Sequence, residues 1–444
     1  MTPQLHRLSL AFALAFLVIA LTSGYWGLVR HTALIERADN PRRVLIEQRF
    51  QRGTIYDRNG TVLAESVGAP GSFIRHYPYP ALSPVLGHLS AFYGSAGIEA
   101  AADGVLHGDA GLDPLQLYWK DNLLGVPPPG RAVRLSIDLR LQTAADSALG
   151  NHTGAVVLLD AASGEVLALA SHPNYNANAL ETHWPTLIND PDSPLLNRAT
   201  FALYQPGGAL EPILLGAALE AGLVDLNRPL PQATARVKVG DLTIGCRLQP
   251  ILTQLTLADA LTFGCPRPFA DIGEQVGASA LDRLFTDFRL YDAPTLSIPT
   301  TASSLPTSTI EPANVALGQG ELNITPLHLA LITAAFARRG EMPAPQLLIA
   351  TQDPTGEWQS VATDSHPIAV IPPEEAEIIK SLLAQGHRAR AFAGAKGKTL
   401  AWFSGFAPFQ DSRYAVVVLL ENGETTEAAE MGRELLVEAT RLMP

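Results

Sequence analysis

The segment Tyr204-Gln-Pro-Gly-Gly-Ala-Leu-Glu-Pro212 leads into a run that is apolar nearly all round, and the only ionisable carboxyl it offers is Glu211. A carboxylate in the first turn of a helix is favoured by unpaired amides and the helix dipole by about 0.3–1 kcal/mol, so a structural role competes there with contact to a ligand. A second segment, Phe263-Gly-Cys-Pro-Arg-Pro-Phe269, sets Cys265 between Gly264 and Pro266. Glycine and proline side chains can neither shuttle a proton nor hold a substrate, and a thiol is inert when buried or paired. The third, Gly394-Ala-Lys-Gly-Lys-Thr-Leu-Ala-Trp402, gathers Lys396, Gly397, Lys398 and Thr399. Its ammonium and hydroxyl groups could meet a carboxylate, or form a solvated turn. Cys246 and Cys265 are the two cysteines, 19 residues apart. A disulfide between them is open, as is a buried or nucleophilic Cys265.

The elements that must position these groups show in the periodicity. Arg52 to Ala64 reads as strand, turn and strand, with Asn59-Gly60 at the turn because that pair tolerates positive φ at both central positions. Residues 78–113, rich in Gly, Ala, Tyr and Pro, read as a small module of irregular surface. Val126-Pro-Pro-Pro-Gly130 is the boundary, since consecutive prolines exclude helix. A strand is expected over Ala132–Asp138 and a helix over Leu139–Leu149 closed by Gly150. A hairpin is expected from Gly154–Asp160 and Glu165–Ala170. Four helices follow: Gly208 to Ala221, one capped by Thr256 with Asp259, one from Pro268 to Gly277, and one from Pro326 to Arg339. Another spans Glu374 to Gln385. Strands at Ala401–Phe406 and Tyr414–Leu420 and a last helix over 426–442 complete the order. It predicts an α+β domain, a mainly antiparallel sheet between helical layers.

The 444 residues suffice for a large cored domain plus smaller modules. Leu8 to Val29 carries no charge and is long enough at helical rise to span a bilayer. Its length, and Tyr25 and Trp26 near its end, favour a retained anchor over a cleaved signal peptide. Arg7 precedes this segment and Arg30, Arg37, Arg42 and Arg43 follow it, so the basic count alone puts the C-terminal side in the cytoplasm. An excess of 43 acidic over 31 basic side chains argues against a nucleic-acid partner.

Several strings together resemble the monofunctional, class B penicillin-binding proteins, in particular the shorter elongation-type members. Arg52–Ala64 is similar to the motif that follows their anchor. Tyr77-Pro-Tyr-Pro80, Gly87-His-Leu-Ser90 and Tyr93-Gly-Ser-Ala-Gly-Ile-Glu99 are similar to their N-terminal module. Gly154–Pro173, Ser193–Ala199, Ala313–Pro326 and Ala401-Trp-Phe-Ser-Gly-Phe-Ala-Pro408 resemble their transpeptidase domain. The resemblance implies a tail and anchor over 1–30, an accessory module over 31–125 and a penicillin-binding transpeptidase fold over 126–444. It implies an extracytoplasmic body on a single-pass anchor in the cell membrane, against the basic count. It implies no cofactor and no metal. The implied partners are the lipid bilayer, a polytopic membrane glycosyltransferase or other elongation or division proteins, and the peptidoglycan stem peptide.

Members of that family acylate a serine with the D-Ala-D-Ala end of a stem peptide and pass the acyl group to an amine, using Ser-x-x-Lys, Ser-x-Asn and Lys-Thr/Ser-Gly. Matched to those motifs, Gly208 takes the place of the serine and Glu211 of the lysine. Gly264 takes the second serine, Pro266 the asparagine, and Lys396-Gly397 or Lys398-Thr399 the third motif. The expectation drawn from this is a catalytically inactive homologue acting as a binding or scaffold subunit of cell-wall synthesis. The alternative is an active D,D-transpeptidase with a displaced nucleophile such as Cys265, Thr399 or Ser404.

Overall fold

The computed structural model describes residues 3–443 apart from 27–41, 118, 120–124, 253, 304–310, 321, 363–365 and 394–397. Two sheets organise the body. The larger domain is built on five antiparallel strands in the order His387–Ala393, Lys398–Ala407, Tyr414–Glu421, Gly154–Asp160, Val166–His172. Two of the three inner strands, at 154–160 and 414–421, are apolar along most of their length. Alternate residues of the sheet therefore feed separate cores on its two faces. Helices Leu139–Leu149 and Thr425–Leu442 cover one face. The wholly buried helix Pro326–Ala337 lies under the other, with the rest of the helical layer beyond it.

A six-stranded sheet runs in the order Trp358–Ser360, Leu348–Gln352, Val133–Leu135, Ile55–Tyr56, Val62–Val67, Ile74–His76, and short two-stranded ribbons lie outside both sheets. This sheet takes strands from both sides of residue 126. Beside it Glu99, fully buried, binds Arg52 at 2.7 Å and Arg75 at 2.6 Å. The turn after Tyr56 differs from the expected two-residue form. Only Gly60 has positive φ, and the Asp57 carboxylate accepts from the Asn59 and Thr61 amides, making a longer side-chain-capped loop. At the start of the chain, Leu5–Gly24 is a helix long and apolar enough to cross a membrane, with its side chains unburied.

Candidate active site

Glu211 opens the helix Glu211–Glu220 immediately after the 3₁₀ turn Gly207–Leu210. Pro212 follows, at a position where a missing amide costs little. The approach to the turn is held from several sides. Tyr204 exchanges backbone hydrogen bonds of 2.9 and 2.8 Å with Ile324. Its hydroxyl donates to Glu421 at 2.7 Å, and the Trp402 indole donates to the Gln205 carbonyl at 3.1 Å. Gly207 has φ 54°, and a Cβ there would stand 2.3 Å from the Arg390 carbonyl oxygen. Only glycine lets the turn lie against the strand His387–Ala393. His387 closes that contact by donating from Nε2 to the Gly208 carbonyl at 2.8 Å.

The opposite wall comes from the helix Leu257–Phe263. A Thr256–Asp259 capping box starts it, and Gly264, at φ 61°, ends it. The chain then passes through Cys265 into the helix Pro266–Val276. Cys265 is disulfide-bonded to Cys246, with Cα atoms 3.9 Å apart. The Arg247 amide donates to the Gly264 carbonyl at 2.9 Å and the Leu248 amide to Phe263 at 3.0 Å. Arg247 therefore lies directly on Gly264, where an added Cβ would meet its Cβ at 3.0 Å and its Nε at 3.2 Å.

Between these walls is a cavity of about 280 Å³. It brings together Gly208, Glu211, Gly264 and Pro266, the positions matched to the first two motifs. The third match is corrected. The strand bordering the cavity is His387–Ala393, which contributes Arg388, Ala389, Arg390 and Phe392. Lys396 and Gly397 lie outside the described residues. Lys398 and Thr399 pair with Ala393 and Phe392 on the next strand and do not line the cavity. A whole hairpin, from the His387–Ser404 pair to the Ala393–Lys398 pair, separates the cleft strand from the segment just before Trp402. The side chains that sequence reasoning missed are therefore arginines: Arg236, Arg247, Arg388 and Arg390. For the last two a signal existed, the small–large alternation of Arg388-Ala-Arg-Ala-Phe392, which is a strand pattern.

None of the displaced nucleophiles lines the cavity. Cys265 is fully buried in its disulfide, Ser404 is buried on the neighbouring strand where it pairs with His387, and Thr399 sits at the hairpin's far end. The ionisable carboxyl that does is Glu211. It is buried, and its Oε1 would stand 3.0 Å from a Cβ at position 208. Burial pushes it well above its ordinary 4.5, and the nearby Arg247 charge pulls it back only in part. Burial, then the repulsion of Arg388, brings Arg247 down to about 10 although Glu211 opposes this. Burial also brings His387 down to about 4 against the bond to Gly208, so the ring is neutral at physiological pH.

Because the 246–265 bridge closes a loop of 19 residues, its loss is expected to cost ~3 kcal/mol by chain entropy. Thermal melting of Cys246→Ser/Cys265→Ser beside the parent, with and without reductant, checks this. Reductant should lower the parent's Tm and leave the variant's unchanged.

The penicillin binding protein transpeptidase domain family matches residues 154–436, and the penicillin binding protein A dimerisation domain family matches residues 52–133. The peptidoglycan D,D-transpeptidase PbpA of Mycolicibacterium smegmatis is 33% identical over 91% of this chain and 92% of its own length. The crystal structure of PBPA from Mycobacterium tuberculosis is 28% identical, covers 88% of this chain and 99% of its own, and superposes with a TM-score of 0.79. The penicillin G acyl-enzyme complex of the same protein is equally similar, at 28% identity over 88% of this chain and 100% of its own, with a TM-score of 0.78. The fold carried here almost end to end is thus that of working acyl-transfer enzymes. This overturns the expectation of a catalytically inactive scaffold and favours the alternative of an active enzyme. The chain belongs to the penicillin-binding protein transpeptidase family.

Proposed function

We propose that this chain is a membrane-anchored, elongation-type peptidoglycan D,D-transpeptidase whose chemistry runs through Glu211 rather than through a serine. The observation that carries the reading is the place of that carboxyl: buried in the cleft, beside Gly208, with its proton affinity raised by burial. With glycine at 208 no hydroxyl is present to be acylated there, so the acceptor amine itself attacks the D-Ala-D-Ala carbonyl. Glu211 gives its proton to the amine of the departing D-alanine and takes the attacking amine's proton in exchange. Among the described residues the outer edge of His387–Ala393 has no strand partner, so its backbone amides can pair with an extended stem peptide and meet the developing oxyanion. The relatives support the substrate class, and the guanidiniums along the cavity suit the peptide's terminal carboxylate.

The test is release of D-alanine by the full-length protein from a synthetic stem peptide and an amine acceptor, followed by mass spectrometry. Cross-linked product is expected without a covalent enzyme intermediate. No D-alanine above a heat-denatured control would sink the proposal.

The same reading places the body outside the cytoplasmic membrane on the helix Leu5–Gly24, with the accessory module available to a polytopic glycosyltransferase. Protease added to intact spheroplasts is expected to digest the body while an N-terminal tag stays protected. The opposite pattern would reverse the orientation.

A further inference from the structure

Four guanidiniums, from Arg236, Arg247, Arg388 and Arg390, line the cavity against one carboxyl, that of Glu211. Among the described residues none of the four makes an ion pair within 4 Å, whereas arginines elsewhere in the body commonly do. Arg236 and Arg390 are exposed at the rim, and solvation accounts for them. Arg247 is different. Its Nη2 donates to the Thr262 carbonyl at 2.8 Å, but its Nε and Nη1 are shielded from solvent and have no hydrogen-bond partner. Two buried donors left unmade are costly, and more so on a charged group.

The segment that carries Arg247 is held in place. Its backbone is fixed by Gly264 and by the neighbouring disulfide, and its side chain packs on the Gly264 backbone. Arg388 is half-buried on the facing edge strand, close enough for the two like charges to repel. Cations held in this way without a counter-charge are an arrangement that an anion completes. A single carboxylate neutralises only one of them.

We infer that the cavity is a receptor for doubly charged oxyanions, with one negative group on the unmade donors of Arg247 and the second reaching Arg388. Two ligand types supply this chemistry: a peptide terminus whose last residue carries its own acidic side chain, and a phosphate group. The inference deepens the peptide-processing reading and rests on it only in taking the cavity as the place where ligand binds. It is tested without turnover, so either reading can fail alone.

The experiment is calorimetric titration of the full-length protein in detergent micelles at low salt. The probes are acetyl-D-Ala-D-Ala, acetyl-D-Ala-D-Glu and inorganic phosphate. At least one of the two dianions is expected to bind ten times or more tighter than the monoanion, and the tighter one identifies the source. In Arg388→Gln that advantage is expected to shrink to within about twofold, and in Arg247→Gln both dianions should lose affinity. Arg283→Gln, on an exposed helix face away from the cavity, should leave every value unchanged. Raising the salt should weaken the dianions more than the monoanion. Equal affinity for all three probes in the parent, or a preference that survives Arg388→Gln, overturns the inference.

Discussion

Gly208→Ser combined with Glu211→Lys is expected to give a chain that penicillin acylates at position 208, where the parent is expected to carry no penicilloyl group. The two positions lie three residues apart at the start of one helix, so a hydroxyl and an amine there would face each other. Gly208 has no left-handed φ, so serine meets no backbone strain. The nearest atoms to its Cβ belong to the Glu211 carboxyl that the second substitution removes. A lysine in this buried pocket, beside Arg247 and Arg388, would lose affinity for its proton and stand neutral, able to take that of the hydroxyl. Gly208→Ser alone should stay unlabelled, because burial favours the protonated form of the adjoining carboxyl and makes it a poor base for the new hydroxyl. Gly264 and Pro266 still lack the second motif's groups, so acylation in the double variant should run on the order of 10²-fold slower than in a chain with an intact motif set. Intact-mass measurement after incubation with penicillin G, with the adduct mapped to a peptide, reads the result. An adduct on the parent would reveal a nucleophile elsewhere, and a folded double variant that stays unlabelled would break the geometric argument.

Much of this architecture was legible because burial writes itself into spacing. The apolar strands at 154–160 and 414–421, the Thr256 cap with Asp259 and the prolines that open helices all imposed their patterns on the chain. The cleft's first two segments were equally visible, since each places its key residues at a helix terminus whose signals are local. The third was not. Which strand borders a cleft depends on the register of a hairpin seven pairs long, and no local signal near Lys396 or Thr399 reports that register. His387–Ala393 is also an edge strand interrupted by arginines, so it carries no continuous apolar run that marks it as part of the sheet. The Cys246–Cys265 bond stayed open for a related reason. It depends on how the 246–248 segment lies along Phe263–Gly264, a non-local pairing. Glu211 was correctly placed in a helix's first turn, but its burial comes from elements 50 or more residues away, such as Gly264 and the edge strand.

Replacing that carboxyl by its neutral isostere separates what Glu211 does from what it costs. Glu211→Gln keeps the volume and removes the exchangeable proton, so turnover of stem peptide is expected to fall by about 10²–10⁴-fold, as for loss of an acid–base group, with the fold retained. Stability should move the other way. The folded chain holds the Glu211 proton to a higher pH than the unfolded chain, whose carboxyl titrates near 4.5. Between those two values the unfolded state binds fewer protons, so the parent loses stability as pH rises through the window, and the glutamine variant does not. The variant should therefore melt above the parent at neutral pH, with a gap that opens upward from about pH 4.5 and closes below it. His387 gives the opposite limb. Its folded value of about 4 lies below the ordinary 6.5, so its contribution is present above 6.5 and is lost as pH falls toward 4, by roughly 3 kcal/mol at most. His387→Gln should flatten that acid limb and leave the Glu211 window unchanged. Melting temperatures of the parent and both variants across pH 4 to 9 distinguish the two groups. A gap between parent and Glu211→Gln that shrinks as pH rises would mean that the carboxyl is ionised in the fold, and the acid–base role argued for it would fall.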